Sequence, residues 1–507
     1  MRNPELMRIS RLPTLPRVSS LLLLLLSACA VPRPPEQVDA PTPAAWSHPL
    51  PTSTAPLPHG GSLPTLGQWW EQLHDPLLVE LVFASEAVSP TVASAVARIA
   101  EARATRVSAG AALIPNLNGQ LAASRGNSPT SGFTGPSSAT GVTASLPILT
   151  TGQAGLQSSW EIDLFGGLRA TRDASQARLV GADAKWHDAR VSVAADTANT
   201  YFDERACQRQ LAVSTSDAQS RAETARLTEL SMRAGFTAPA DAALARASAA
   251  EASGRLTQQR AQCAVLEQAL VSLTGIEAPV LRAKLDAAPI DVALPAVQAV
   301  HSVPAEALAQ RPDVYAAELA VAAASADAGA ALAQRFPRLT LQGSIAAVQV
   351  RTGGFRETLN TWTIGPLALN VPIFDGGTLA ANEQAAKARY DETVSLYRAS
   401  VRQAVREVEE ALINLRSTDE RAEDADTAVR NYQASFDATQ ARFSTGLASL
   451  FDLEDARRTL FVSQTSRVAL QRERAQAWVA LYRAMGGGWS RPESIATTAP
   501  ATAVSSQ

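Results

Sequence analysis

Two periodicities recur along this chain. In Leu156, Ser158, Trp160, Ile162 and Leu164 one set of positions is mostly apolar, while Gln157, Ser159, Glu161 and Asp163 between them are polar. The alternation returns in Leu367, Leu369, Val371 and Ile373, and in Leu339, Leu341 and Ile345 set against Thr340, Gln342 and Ser344. A period of two puts successive side chains on opposite faces, so these stretches predict strands of a sheet with one apolar and one polar face. In a soluble protein the apolar face would be the inside; in an outer-membrane barrel it would face lipid and the polar face would line water. Strands of about ten residues suit a sandwich and a barrel equally, and the alternation leaves both open.

The second periodicity is helical. Gly167 to Met232 contains no proline and predicts about 60 helical residues, about 90 Å at 1.5 Å per residue. Gly377 to Phe443 matches it. Neither fits inside a compact domain, so an elongated assembly is expected. Ala177, Ala184, Val191 and Ala198 recur every seven residues, as coiled-coil seams do. Shorter helices are expected at about Leu77 to Ala109 and Pro239 to Leu273, near half the long length. Two of them end to end would match one long helix, which suggests a cylinder wall with a seam at mid-height.

These elements belong to an internal duplication. Gly167 recurs at Gly377, 210 residues on, and Gly235 at Gly446 and Gly275 at Gly486, each 211 on. Pro115 answers Pro337, 222 on, and the 12 extra residues of the first copy fit the Gly/Ser/Pro/Thr stretch from Gly126 to Gly141. Each unit runs helix, two strands, long helix, turn, shorter helix. The expected division is residues 66–275 for repeat 1, 276–304 for a linker at the seam and 305–489 for repeat 2.

The ends carry different signals. Arg8, Arg11 and Arg17 precede Leu21 to Leu26, then Ser27, Ala28 and Cys29, which predicts a secretory signal over 1–28. Leu26-Ser27-Ala28-Cys29 resembles a bacterial lipobox, in which Cys29 becomes the first residue and carries acyl chains. Ala30 and Val31 follow rather than an aspartate, which favours outer-membrane sorting. Residues 29–65 then read as a lipidated cysteine and an extended Pro-rich linker, and 490–507 as a disordered tail.

Composition narrows the function. A net charge of −3 and a pI near 6.1 lack the basic footprint of a nucleic-acid binder. Three cysteines exclude a disulfide-dense mini-protein and a four-cysteine zinc site. The five histidines are scattered, with no HExxH, and neither GxxxxGK[ST], GxGxxG nor GxSxG occurs. Glu409-Glu410 reads as a solvated or lumen-facing helix position. Neither enzyme activity nor a cofactor is expected, beyond covalent lipid on Cys29.

Several motifs occur in a recognisable order: Trp69-Trp70 with Asp75-Pro76-Leu77, Arg98-Ile99-Ala100-Glu101-Ala102-Arg103, and Trp160-Glu161-Ile162-Asp163-Leu164-Phe165-Gly166. Leu273-Thr274-Gly275, Arg311-Pro312-Asp313-Val314 with Ala317-Glu318, and Pro372-Ile373-Phe374-Asp375-Gly376-Gly377 follow. From about Leu66 to Trp489 the chain resembles the outer-membrane factor family, the TolC-like channels, and most closely their lipoprotein branch for multidrug and metal efflux. Ser89-Pro90-Thr91 departs from the family's pattern, and the proline should disturb the first short helix near its start.

The resemblance implies a mainly α protein with a transmembrane β-barrel: a homotrimer in which each chain gives four strands to one 12-stranded barrel that continues into a periplasmic α-helical barrel. It implies an outer-membrane efflux duct, passive and lipid-anchored, working with a periplasmic adaptor and an inner-membrane pump. A duct for type I protein secretion shares the architecture. A non-channel coiled-coil lipoprotein would explain anchor and helices but not the duplicated strands.

The resemblance also implies sites. The helix turns at Gly235-Phe236 and Gly446-Leu447 become candidates for adaptor docking, although a glycine cap explains both glycines by itself. Asp452 and Asp455 would line a closed periplasmic aperture with Asp241 from the first copy, where Leu244 replaces the second acid; an acidic preference for helix N-termini is the plainer account. Cys207 and Cys263 lie 28 residues either side of Gly235, so an antiparallel fold there brings them opposite each other. They form either a disulfide, as an oxidising compartment allows, or two buried thiols in a helix seam.

Overall fold

The computed structural model describes residues 31–47, 69–71, 73–127, 148–290, 308–352, 354–489 and 491. The expected signal 1–28, Cys29 and nearly all of the tail 490–507 lie outside them. The elements follow the duplicated order. The first copy holds α1 (Pro76–Val88), α2 (Pro90–Ala111), β1 (Asn116–Gly126), β2 (Leu149–Ile162), α3 (Gly167–Arg233) and α4 (Pro239–Thr274). After α5 (Ala278–Ala287), the second copy holds α6 (Pro312–Ala333), β3 (Arg338–Thr352), β4 (Phe355–Asn370), α7 (Thr378–Ser444) and α8 (Leu450–Ala484). The two long helices have 67 residues each.

The chain forms two compact units. One comprises Met1–Val38, Glu101–Leu179 and Leu319–Val394 and is built around an antiparallel sheet of order β1-β2-β3-β4. Its register joins the alternations into two faces. Leu156 pairs with Ile345, Trp160 with Leu341, Ile162 with Leu339 and Ile345 with Trp362, so these side chains share one face. Gln157 pairs with Ser344 and Ser344 with Thr363 on the other, where Ser124 and Thr151 hydroxyls meet at 2.6 Å. The apolar face is bare: Leu121 is 87% exposed and Ile364 83%.

Three details differ from the expectation. The strands run to 11, 14, 15 and 16 residues rather than about ten. On β3 the apolar belt itself covers only Leu339 to Ala347, and the strand continues beyond it. Leu164, Val371 and Ile373 fall past the strand ends. Finally, Leu341 pairs with Leu367 while Gly343 pairs with Ile364, so β4 bulges at Gly365-Pro366. The extra residue switches the parity, and Ile364 and Trp362 stay on the face of Leu367 and Leu369. Without the bulge they would turn to the polar side.

The second unit comprises Asp39–Ala100, Val180–Glu318 and Ser395–Gln507, and holds the main apolar core. Trp69 packs tilted against Trp478 at 4.8 Å and Trp70 against Tyr482 at 4.6 Å, over Leu78, Leu81, Leu270, Leu412 and Leu415. Asp75 caps α1, accepting from the backbone N–H groups of Leu77 and Leu78 at 3.1 and 3.2 Å and from the Tyr201 hydroxyl at 2.5 Å.

The connectors carry structure of their own. Residues 276–304 are not all linker: α5 buries Leu281 and Leu285 in this core, and Arg205 donates to the Leu285 carbonyl at 2.9 Å. Residues 291–304 lie outside the description. The Pro-rich stretch is extended but bound where described. In the first unit, Pro34 and Pro35 carbonyls accept from Ser325 and Tyr390 at 2.5 and 2.9 Å; in the second, Trp46 is buried in the core. The first short helix is two helices bent by 48° at Ser89, well beyond its start, because Pro90 cannot donate into the preceding turn and begins α2 instead.

Candidate functional site

Each long helix turns back through the same backbone device. At the end of α3 the Gly235 N–H donates to Met232 O at 3.0 Å and the Phe236 N–H to Ser231 O at 2.9 Å. At the end of α7 the Gly446 N–H donates to Phe443 O at 3.0 Å and the Leu447 N–H to Arg442 O at 2.8 Å. Gly235 and Gly446 have φ of +81° and +76°, the left-handed region open to glycine. This is the Schellman arrangement, in which the residue after the glycine usually packs back on the helix. Here it does not: Phe236 is 87% exposed and Leu447 72%. Phe451, in the first turn of α8, is 72% exposed as well.

The predicted acids lie just beyond the turns, in three different settings. Asp452 completes a capping box: its carboxylate accepts from the Ser449 hydroxyl at 2.7 Å and backbone N–H at 2.9 Å, and Ser449 accepts from the Asp452 N–H at 3.1 Å. Those bonds, the hydroxyl's first, hold its carboxyl below the usual aspartate range. Asp455 pairs with Arg458 one turn on. Asp241 is exposed in the first turn of α4, whose N-cap Ala238 supplies no side-chain bond. Cys207 and Cys263 are joined by a disulfide, with Cα atoms 5.6 Å apart.

A buried charge network lies between the hairpins, and the sequence reading missed it. Arg221 on α3 donates to Asp217 at 2.8 Å and to Ser248 of α4 at 2.5 Å, and pairs with Glu454 of α8. Arg457, also on α8, pairs with Glu454 and donates to Thr224 of α3 at 2.9 Å. Arg255 of α4 donates to Asp217 at 3.1 Å. Burial pulls the Arg457 pKa down while the Glu454 carboxylate opposes it. Only the local spacings Asp217–Arg221 and Glu454–Arg457 were visible in sequence; that they meet across α3, α4 and α8 required the fold.

Nearer the disulfide, Glu204 is buried and pushed up to about 7, by burial first and by Glu267 beside it. Glu267 is itself clamped by Arg282 at 2.6 and 3.0 Å. Among the described residues no His/Cys/Asp/Glu group is arranged to hold a metal ion.

An open sheet with a bare apolar face, together with duplicated long helical hairpins, defines a TolC-like outer-membrane channel. Solved structures agree: the outer membrane channel CmeC of Campylobacter jejuni matches with a TM-score of 0.79 at 22% identity, over 92% of this chain and 96% of its own. The outer-membrane channel OprN matches with a TM-score of 0.72 at 26% identity, over 89% and 98%. The chain belongs to the outer membrane efflux protein family, whose profile matches residues 84–276 and 303–487, one stretch per repeat. It is similar to the pyoverdine export outer membrane protein OpmQ of Pseudomonas putida, 31% identical over 490 residues and covering 94% of this chain and 98% of that protein. Similarity to the toluene efflux pump outer membrane protein TtgI of Pseudomonas putida is 30% over 476 residues, covering 92% and 97%. Its place is the cell outer membrane, its role efflux, and its apolar sheet face meets lipid.

Proposed function

We propose that three copies of this chain close into one passive duct, which conducts small molecules handed over by an inner-membrane pump through a periplasmic adaptor. The sheet is the main support. In the order β1-β2-β3-β4 each outer strand has one edge with no neighbour among the described residues. In hydrocarbon every unsatisfied backbone group costs several kcal/mol, so β4 of one copy must pair with β1 of the next. Four strands are too few to close a barrel, and three copies give the 12-stranded wall of the TolC-like architecture. Acylation of Cys29 would add an anchor, since each buried CH₂ contributes about 0.8 kcal/mol.

The exposed turns Gly235-Phe236 and Gly446-Leu447 are the docking points for the adaptor: rigid Schellman backbones offering apolar side chains to a partner. Asp452 and Asp455, with Asp241, line the periplasmic aperture, where three-fold symmetry makes carboxylate rings that favour cations. The adaptor opens it only through a higher affinity for the open arrangement. A type I secretion duct would share this geometry, but the efflux relatives favour small molecules.

Planar-bilayer recording and heat-modifiable migration on gels test the assembly. A trimer that conducts ions and dissociates on heating is expected; a water-soluble monomer without conductance would end the proposal. For docking, Phe236→Asp with Leu447→Asp should abolish drug efflux in cells while leaving the trimer and its bilayer conductance intact.

A further inference from the structure

One rung of the sheet breaks the apolar face. Arg125 of β1 pairs with Thr150 of β2, Thr150 with Arg351 of β3, and Arg351 with Arg356 of β4. Three guanidinium side chains and a hydroxyl therefore cross all four strands in a single row. Even steps along the strands put this row on the lipid-facing side: Thr150 and Leu156, Arg351 and Ile345, and Arg356 and Trp362 are each six apart. No acidic residue shares that face. Glu161 and Glu357 alternate to the other side, and neither 127–148 nor 352–355 contains an acid.

Like charges directly across a strand pair are unfavourable, yet Arg351 and Arg356 stand opposite each other. An anion between them reverses that sign. The row's height indicates which anion. On β3 it lies four residues past Ala347, where the apolar belt ends, about 13 Å along the strand and about 10 Å in height at the usual tilt. It sits toward the β3–β4 turn, at the end of the sheet away from the α3 and α7 starts, and the helices of this family extend into the periplasm. The row thus meets the outer leaflet at headgroup level.

We infer that Arg125, Arg351 and Arg356 bind the phosphate groups of the phosphorylated glycolipid that forms the outer leaflet, lipid A. Arginine suits phosphate because its planar fork donates two parallel hydrogen bonds, and partial desolvation at the membrane surface strengthens them. Adjacent strands are about 4.8 Å apart, so Arg351 and Arg356 can share one phosphate, while Arg125, two strands away, reaches a second. The inference rests on the lipid-facing assignment of the sheet.

Native mass spectrometry of the full-length protein in detergent tests it, with diphosphoryl lipid A, dephosphorylated lipid A and phosphatidylglycerol as probes. Diphosphoryl lipid A is expected to bind best, and Arg125→Gln/Arg351→Gln/Arg356→Gln to weaken it about tenfold or more. Equal binding by the triple variant, or by dephosphorylated lipid A, overturns the inference. Equal binding of phosphatidylglycerol overturns the choice of lipid A. Should the Gln variant not assemble, the triple Lys variant keeps the charge and must still lose the bidentate share of affinity; unchanged affinity counts against the proposal. A conducting trimer that retains no lipid A refutes this inference and leaves the channel standing, whereas a protein without conductance refutes the channel itself.

Discussion

The two helical hairpins are copies of one design fastened in two ways. Both pair a 67-residue helix with a return helix of 36 or 35 residues, across Schellman turns of matching geometry. The first is cross-linked by Cys207–Cys263. At the same level of the second, 211 residues on, stand Thr418 and Arg474, the latter paired with Asp419 at 3.2 Å. In turn, only the second starts its return helix with a full capping box, and it is tied to its neighbour through Glu454 and Arg457. A covalent link holds one register at any ionic strength or partner occupancy. Charge pairs can be exchanged for others. The first hairpin is therefore a covalently fixed rail, whereas the second is held by charge pairs.

Breaking the rail should have the largest effect. Cys207→Ser with Cys263→Ser releases a constraint across 56 residues and should cost up to about 4 kcal/mol of stability on the chain-entropy estimate. Melting with and without reductant measures it, and equal melting points for both proteins would remove the contrast. Next comes Glu454→Ala, which takes the carboxylate partner from buried Arg457 and one of two from Arg221, at about 3 kcal/mol. Single-channel records should then show more frequent opening; an unchanged open probability would mean that the network does not hold the second hairpin.

A pH effect between about 4.5 and about 7 belongs to the first hairpin. The folded protein keeps Glu204 protonated up to about 7, against an ordinary value of 4.5, so it binds more protons than the unfolded chain in between. Stability should fall as pH rises from about 4.5 to about 7, and Glu204→Gln should flatten that slope. A steeper slope in the variant would assign the effect elsewhere. The smallest change is Asp452→Ala, expected to lower the melting temperature slightly through loss of its half of the capping box. If Asp452 also lines the aperture, cation selectivity should drop in the same variant; selectivity unchanged in a folded trimer leaves the aspartate only its capping role.

Much of this was legible beforehand because the signals are local or additive. Proline-free stretches and turn glycines marked the long helices, and the midpoint of Cys207 and Cys263 pointed to their meeting across Gly235. Strand ends were less legible. Alternation reports where a face meets lipid, whereas the hydrogen-bonded ladder runs beyond it on both β3 and β4. The helix break at Ser89 was legible too, because Pro90 by itself cannot donate into the preceding turn.

Periodicity, punctuation and the duplication were determined by the sequence itself, since each follows from nearest neighbours along one helix or strand. The charge network of Arg221, Ser248, Glu454 and Arg457, the bulge at Gly365-Pro366 and the arginine rung were decided only in three dimensions. Each depends on register between separate segments, such as Gly343 with Ile364, 21 residues apart, or Arg221 with Glu454, 233 apart. A one-residue slip would turn every strand side chain to the opposite face, and no pattern within a single strand records which register its neighbour adopts.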